Sequence, residues 1–354
     1  MTTDTRKVDG IARPDRFGGR LDPEPAFPGT YGLRPDGFRL PEGTRPGPVR
    51  LQVADLERSL AFYEQVLGLR RLEREGPRAL LGTGPAQPPG AAGAAAAASP
   101  VLVELRERRG ARPAPRRGRT GLYHFALLLP DRAALGRFVR HAAELGLPLG
   151  AGDHLVSESL YLHDPDDLGI EIYIDRPRRA WQRIGHELVM ATDPLDLTGL
   201  AEAGPGEPWT GMPTGTVIGH LHLHVGDLAT ASTFYSGTVG FDQTVWSYPG
   251  ALFLAADGYH HHLGTNVWAG PGASPPLDDE AQLLEWTVEL PDAASLAAVS
   301  ESLVRGGYEV NRPPTGGEAD VVTRDPWGTR LRLSRFSPEA SRSGREGPTA
   351  EDPR

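Results

Sequence analysis

The chain contains no cysteine. That excludes disulfides, thiolate metal sites and cysteine nucleophiles, and leaves histidines and carboxylates as the strong metal ligands available. It also fits a reducing compartment. No apolar run approaches the ~18 residues that a membrane-spanning helix needs. The first residues, Met-Thr-Thr-Asp-Thr-Arg-Lys, lack the apolar stretch of a signal peptide. No membrane partner and a cytoplasmic location are therefore expected. Positive charge is scarce too: 37 Lys and Arg stand against 46 Asp and Glu, for a net charge of −9. Without a basic stripe, nucleic acid is not expected as a partner.

What is present divides unevenly. A length of 354 residues predicts two domains at roughly 150 residues each. Residues 1–45 are rich in Pro, Gly, Arg and Asp without apolar periodicity, and read as a flexible N-terminal arm. Residues 82–100 run through Gln-Pro-Pro-Gly into an alanine tract, and read as a low-complexity loop inside a domain. Residues 337–354 read as a flexible tail.

The ordered part repeats itself. Asp55, Leu56, Phe62, Tyr63 and Gly68 return at one constant offset as Asp227, Leu228, Phe234, Tyr235 and Gly240. Pro130, Asp131, Leu135, Asp164 and Pro165 return at a second, slightly shorter offset as Pro291, Asp292, Leu296, Asp325 and Pro326. Four modules follow, near 47–107, 121–176, 216–270 and 283–335. Each begins with an alternating strand such as Leu221-His222-Leu223-His224-Val225. A helix then starts near Asp-Leu with apolar residues at helical spacing (Leu56, Leu60, Tyr63, Leu67), and short strands close the unit. The order is βαβββ, four times.

Three residues have the make-up of one metal site: His124 in Gly-Leu-Tyr-His-Phe-Ala, Glu171 in Gly-Ile-Glu-Ile-Tyr, and His220 in Ile-Gly-His-Leu-His. Two imidazoles and one carboxylate occupy one face of an octahedron and leave positions open, as a mononuclear non-haem iron centre requires. Glu171 lies between Ile170 and Ile172. A carboxylate buried there needs a partner, either a metal or an arginine. The repeat offsets supply an internal control. The counterparts of His124, Glu171 and His220 in the other modules are Glu285, Arg332 and Pro48, so only modules two and three carry the set. Ligating atoms more than roughly 6 Å apart would exclude a shared ion, since its bonds are about 2 Å long. His222 and His224 share the strand face of His220, about 6–7 Å and 13–14 Å along it. His222 is placed to line a pocket, and His224 lies beyond reach.

These features resemble the vicinal oxygen chelate superfamily of glyoxalase, bleomycin-resistance and extradiol dioxygenase proteins, over residues 47–335. More narrowly, Thr-Gly-Leu-Tyr-His-Phe-Ala, Gly-Asp-His-Leu-Val-Ser-Glu-Ser-Leu-Tyr-Leu, Gly-Ile-Glu-Ile-Tyr-Ile-Asp-Arg-Pro and Gly-Tyr-His-His-His-Leu-Gly resemble its catechol 2,3-dioxygenase branch. The resemblance implies an α+β fold: four βαβββ modules forming two cupped mixed β-sheet barrels with helices outside. The expected domains are 46–178 (modules one and two) and 215–336 (modules three and four), joined by a linker at 179–214. In this superfamily two modules share a pocket, with ligands on their first and last strands. The ligand positions here then require modules two and three to pair, leaving one and four as a second cup without a metal.

The resemblance also implies an activity. It is an oxidoreductase reaction in which a catechol-type diol is cleaved with O2 at Fe(II) held by His124, Glu171 and His220. Mn(II) and Zn(II) suit the same ligands, and homo-oligomerisation is left open. By resemblance to a His-His-x-x-Ala stretch, where Gly264 stands in place of the Ala, His261 is the expected acid–base residue; alternation would turn His260 and His262 to the opposite face. Tyr161 has the family spacing of ten residues before the ligand Glu, so its hydroxyl is expected on a substrate oxygen. His154 matches a family histidine that steadies the reacting oxygens, with a gap to Tyr161 two residues shorter than in longer-chain extradiol enzymes. Trp268, Trp246 and Phe253 either shape the substrate side of the pocket or pack in the core. Two rival classes remain. A glyoxalase-type isomerase or lyase commonly adds a fourth ligand, often a second Glu, and Leu263–Trp268 offers none. A non-catalytic small-molecule-binding protein would need neither the complete ligand set nor the histidine run.

Overall fold

The computed structural model describes residues 13–14, 20–83, 100–204, 206–313 and 320–336. Most of the chain before Arg20, positions 84–99 of the low-complexity loop and the tail at 337–354 lie outside them.

The repeated residues turn out to be the punctuation of the modules. Asp55, Asp131, Asp227 and Asp292 each cap a helix, their side chains accepting from the backbone N–H three residues on. Such caps are worth about 1 kcal/mol each. The repeated glycines, Gly68 and Gly240, follow the helices of modules one and three at φ 76° and 101°. That left-handed conformation strains any residue with a Cβ.

Two large sheets result. The eight-stranded sheet contains modules two and three. The first strand of module two, Gly121–Leu128, runs antiparallel to the first strand of module three, Val217–His224, at its centre. Beside the first lies Gly169–Asp175, parallel, then Ser157–His163 and Gly150–Asp153. Beside the second lies Leu263–Asn266, parallel, then Ala251–Ala255 and Asp242–Val245. The seven-stranded sheet is built the same way around Arg45–Val53 of module one and Gln282–Leu290 of module four. The first strands thus pair as the ligand positions required, two with three and one with four. The spans 46–178 and 215–336, expected as domains, do not each close a sheet. Each lends one module to either sheet, because every first strand finds its antiparallel partner in the other half of the chain.

Consecutive modules are tied by the other repeated pair. Tyr63 of the module-one helix donates to Asp164 of module two (3.2 Å), and Tyr235 of module three donates to Asp325 of module four (2.8 Å). Burial pushes the Asp164 carboxyl up to about 7, against the pull of the Leu168 and Asp166 backbone N–H groups. A carboxyl whose pKa is higher folded than unfolded binds its proton more tightly in the folded state. Its stabilising contribution is present below about pH 4 and is lost as pH rises through about 7. A rise of that size corresponds to at most about 4 kcal/mol. Asp164→Asn, which cannot ionise, is therefore expected to gain stability relative to the parent as pH goes from about 4 to about 8. Melting temperatures of both proteins across that range measure the difference, and parallel curves would contradict it.

The described residues of the arm and linker are more structured than their composition suggested. Glu24–Pro25 pairs with Gln182–Ile184, which pairs with Glu187–Leu188. Leu33 bridges to Gln243, Arg39 pairs with Asp242, and Tyr31 donates to the Gly258 carbonyl (2.5 Å). The described part of the arm is thus docked on module three, anchored by a buried Tyr31 and by ion pairing. Linker Trp181 is buried with Tyr31, Leu188, Phe253 and Tyr259 in a small core of its own. Among the described residues no helix is long and apolar enough to cross a membrane.

Candidate metal centre

The site is laid out by the register of the central strands. His220 pairs across to Ala126, and Ala126 pairs on to Glu171, which pairs on to Tyr161. These four side chains form one row on the concave face. One strand lies between those of His220 and Glu171, so two strand spacings, about 9–10 Å of backbone, separate them. They meet because the residue between them is an alanine, and both side chains lean over its methyl. A second row holds Phe253, Gly264, His222 and His124. Gly264 makes room here, since a Cβ on it would lie 2.9 Å from the His222 ring. Each row places one small residue, Ala126 or Gly264, between two large ones, which lets the crowded concave face close without overlap.

A bulge sets the entry of His220. The register shifts between Ile218 and His220, leaving Gly219 as the extra residue. The Tyr173 hydroxyl occupies the space that a Gly219 Cβ would need. Only glycine permits this approach, which explains the Gly of Ile-Gly-His.

His124 Nε2 and His220 Nε2 each lie 2.9 Å from the same oxygen, Glu171 Oε2. The ligand atoms of all three residues fall within 4.8 Å of one another, and all three residues are buried. Burial alone would raise the Glu171 pKa, but the imidazoles of His220 and His124 hold it well below the usual carboxylate range. Burial pushes the His124 imidazole down, only partly offset by Glu171. Its Nε2 finds no well-aligned acceptor despite the short distance. Two imidazole nitrogens and an anion crowded on one point, one nitrogen orphaned, are what a divalent cation would satisfy.

Around this triad stand the other expected residues. The His261 ring packs 4.1 Å from that of His220, with Phe253 edge-on at 4.9 Å. Burial, with His220 and His260 nearby, pushes its pKa well below the usual histidine value. The His154 imidazole lies with Nε2 2.6 Å from the Tyr161 hydroxyl and Nδ1 2.7 Å from the Ala191 carbonyl. A carbonyl only accepts, so Nδ1 carries the hydrogen and Nε2 accepts from Tyr161. His154 therefore holds Tyr161, where the family resemblance implies that it steadies the reacting oxygens directly. Ala191 comes from the linker, which runs beside the sheet edge through the Asp153–Asp193 bridge.

His222 lines the cup against His124, Tyr123 and Trp268 at 5.2–5.3 Å, its buried Nε2 unpartnered among the described residues. Burial keeps it neutral, its pKa well below the usual value. His224 bonds Asn266 (2.6 Å). Phe253 belongs to the concave wall and half-exposed Trp268 to its rim, while Trp246 packs against the main core.

The expectation of an opposite face for His260 and His262 fails for His260. The strand begins only at Leu263, so residues 260–262 form a bend and strict alternation does not apply. His260 lies with its Nδ1 2.7 Å from His261 Nδ1 and its Nε2 2.8 Å from Asp175. His262 turns away, stacks on Tyr259 and accepts from Ala256 N–H, its pKa lowered to about 3 by burial. Sequence reasoning missed Asp175, Tyr259 and Trp181. The only available signal was a carboxylate four residues beyond Glu171 on the same strand face.

Among the described residues the second cup carries no such donor set. In place of His124 and Glu171 stand Glu285 and Arg332, and they bond to each other (2.7 Å). Arg50, the counterpart of His222, and Arg330 also reach Glu285 (3.0 and 3.2 Å).

This architecture is matched by known proteins. Residues 45–172 and 217–333 match the Glyoxalase/Bleomycin resistance protein/Dioxygenase superfamily, and the chain belongs to it. A catechol-2,3-dioxygenase of Bacillus subtilis (strain 168) is 43% identical over 272 residues, 76% of this chain and 90% of the relative. Among solved structures, a putative dioxygenase from Bacillus subtilis superposes with a TM-score of 0.56 at 12% identity, covering 87% of this chain and 89% of its own. A glyoxalase I mutant from Zea mays gives 0.50 at 17% identity, covering 82% and 92%. These structural likenesses concern the fold.

Proposed function

We propose that the chain is a type I extradiol ring-cleaving dioxygenase, acting on a catechol-type diol with O2 at a mononuclear Fe(II) held by His124, Glu171 and His220. The observation that carries this reading is the one-sided donor set. Three donors converge over Ala126 from three adjacent strands, and among the described residues no fourth acidic or histidine ligand joins the group. The 43% identical relative named as a catechol-2,3-dioxygenase supports the same class.

Bound there, Fe(II) would acidify the diol and bring it beside O2. The rest is done by side chains. Neutral His261 takes a proton from the diol hydroxyl at Nε2 and returns it later. Tyr161 stays a phenol, because burial and Glu171 raise its pKa well above the usual value. Its oxygen, held by His154, sets the position of the nearer substrate oxygen. Phe253, His222 and Trp268 wall the ring side and exclude water.

The test is oxygen consumption with catechol after reconstitution with Fe(II) or with Zn(II). Uptake and a ring-opened product with Fe(II) alone are expected. Isomerisation of a glutathione hemithioacetal with Zn(II) or Mn(II), without oxygen uptake, would move the protein to the glyoxalase class. Ligand binding with neither activity would make it a binding protein.

A further inference from the structure

We infer that Asp175 and His260 are positioning residues that lock His261 in its Nδ1–H tautomer and so keep a bare Nε2 for the reaction. The catalytic part of this inference rests on the function proposed above; the tautomer part rests on geometry alone.

The hydrogen bonds run in one direction. Asp175 Oδ1 lies 2.8 Å from His260 Nε2 and 2.9 Å from the Tyr259 hydroxyl. An ionised carboxylate only accepts, so His260 Nε2 carries a hydrogen. Tyr173 lies 2.8 Å from Tyr259, whose own hydrogen is committed to Asp175, so Tyr173 donates to Tyr259. On the other side of the ring, His260 Nδ1 faces His261 Nδ1 at 2.7 Å. Only one hydrogen fits between those two nitrogens. In a neutral His260 the ring hydrogen is already on Nε2, so the shared hydrogen belongs to His261 Nδ1. His261 Nε2 is then a lone pair, with no protein partner among the described residues. The reverse arrangement would set a bare His260 Nε2 against the Asp175 carboxylate, two acceptors at hydrogen-bond distance.

The relay is also held rigidly. His260 is fully buried, with Tyr259 at 4.0 Å and Trp181 edge-on at 5.4 Å. Trp181 comes from the linker and donates its indole N–H to the Arg176 carbonyl, next to Asp175. A carboxylate that fixes the tautomer of a catalytic imidazole through its far nitrogen is a recurring device. Here a second histidine is interposed, which lets a carboxylate at the rim govern a base beside the metal ligands.

The test reads the tautomer directly. In the 15N-histidine-labelled full chain loaded with diamagnetic Zn(II), two-bond 1H–15N correlation spectra should show His261 with protonated Nδ1 and bare Nε2, and His260 with the reverse. Asp175→Asn should leave His261 averaged between tautomers. In the Fe(II) enzyme it should lower kcat about 10- to 100-fold, as loss of outer partners commonly does, with KM for catechol little changed. Asp175→Glu should restore the tautomer and most of kcat. A parent spectrum with Nε2–H on His261, or an imidazolium at His260, overturns the inference without any variant, so misfolding of one leaves it decidable. An Asp175→Asn spectrum identical to the parent overturns it as well. The expected spectra in a protein that consumes no oxygen would instead sink the proposed function and leave the positioning intact.

Discussion

Glu171→Gln is expected to lower Fe(II)-dependent oxygen consumption more than about 100-fold and to weaken divalent metal binding at least as much, while leaving the fold unchanged. Losing an outer partner of a metal ligand commonly costs about 10- to 100-fold, and Glu171 is itself a proposed ligand. It is the sole anion of the set, and both imidazole Nε2 atoms lie 2.9 Å from one of its oxygens. Glutamine keeps the shape and one acceptor oxygen but removes the charge. A divalent ion would then sit in a buried cup among neutral donors, with nothing to offset its desolvation. Metal retained after dialysis against a weak chelator separates binding from turnover, and a circular dichroism melt checks the fold. A variant that retained metal as well as the parent would falsify the assignment of Glu171 as a ligand.

Much of this site was legible because the residue types could be checked against the internal repeat. The apolar flanks Ile170 and Ile172 marked Glu171 as a buried carboxylate in need of a partner, and the repeat offsets showed that Glu285, Arg332 and Pro48 carry no equivalent set. With the resemblance implying that two modules share a pocket, those positions called for modules two and three to pair, and the sheets pair accordingly. Other features depend on information a strand pattern does not hold. Alternation does not extend back to His260, where the chain is a bend. The roles of His154 and His260 are set by an Ala191 carbonyl and an Asp175 carboxylate, partners defined only by tertiary contact. The described part of the arm has no periodicity because it forms only two-residue strands and otherwise docks by single anchors such as Tyr31 and Arg39. Ala126 and Gly219 were in view in His-Phe-Ala and Ile-Gly-His, but their meaning is steric: one leaves space over which ligands converge, the other yields to a tyrosine hydroxyl.

The second cup makes a prediction of comparable size, on stability. Glu285 is buried and bonded to Arg332, Arg50 and Arg330. Glu285→Leu would leave guanidinium groups facing an apolar side chain, and removing one partner of a buried pair costs about 3–5 kcal/mol. Arg50 keeps Glu104 and Arg332 keeps Asp320, so the low end of that range, about 3 kcal/mol, is expected. Arg332→Leu alone costs less, because Glu285 retains two arginines. The double variant is expected to recover part of the loss, since an apolar pair avoids the desolvation cost that the ion pair carries. Urea unfolding of the parent, both single variants and the double variant closes the cycle, with a coupling of about 1–3 kcal/mol. Additive losses would mean that Glu285 and Arg332 act independently. A coupling in that range would instead show that, where modules two and three bring together donors for a cation, modules one and four use the same strand positions to supply the cation from the chain itself.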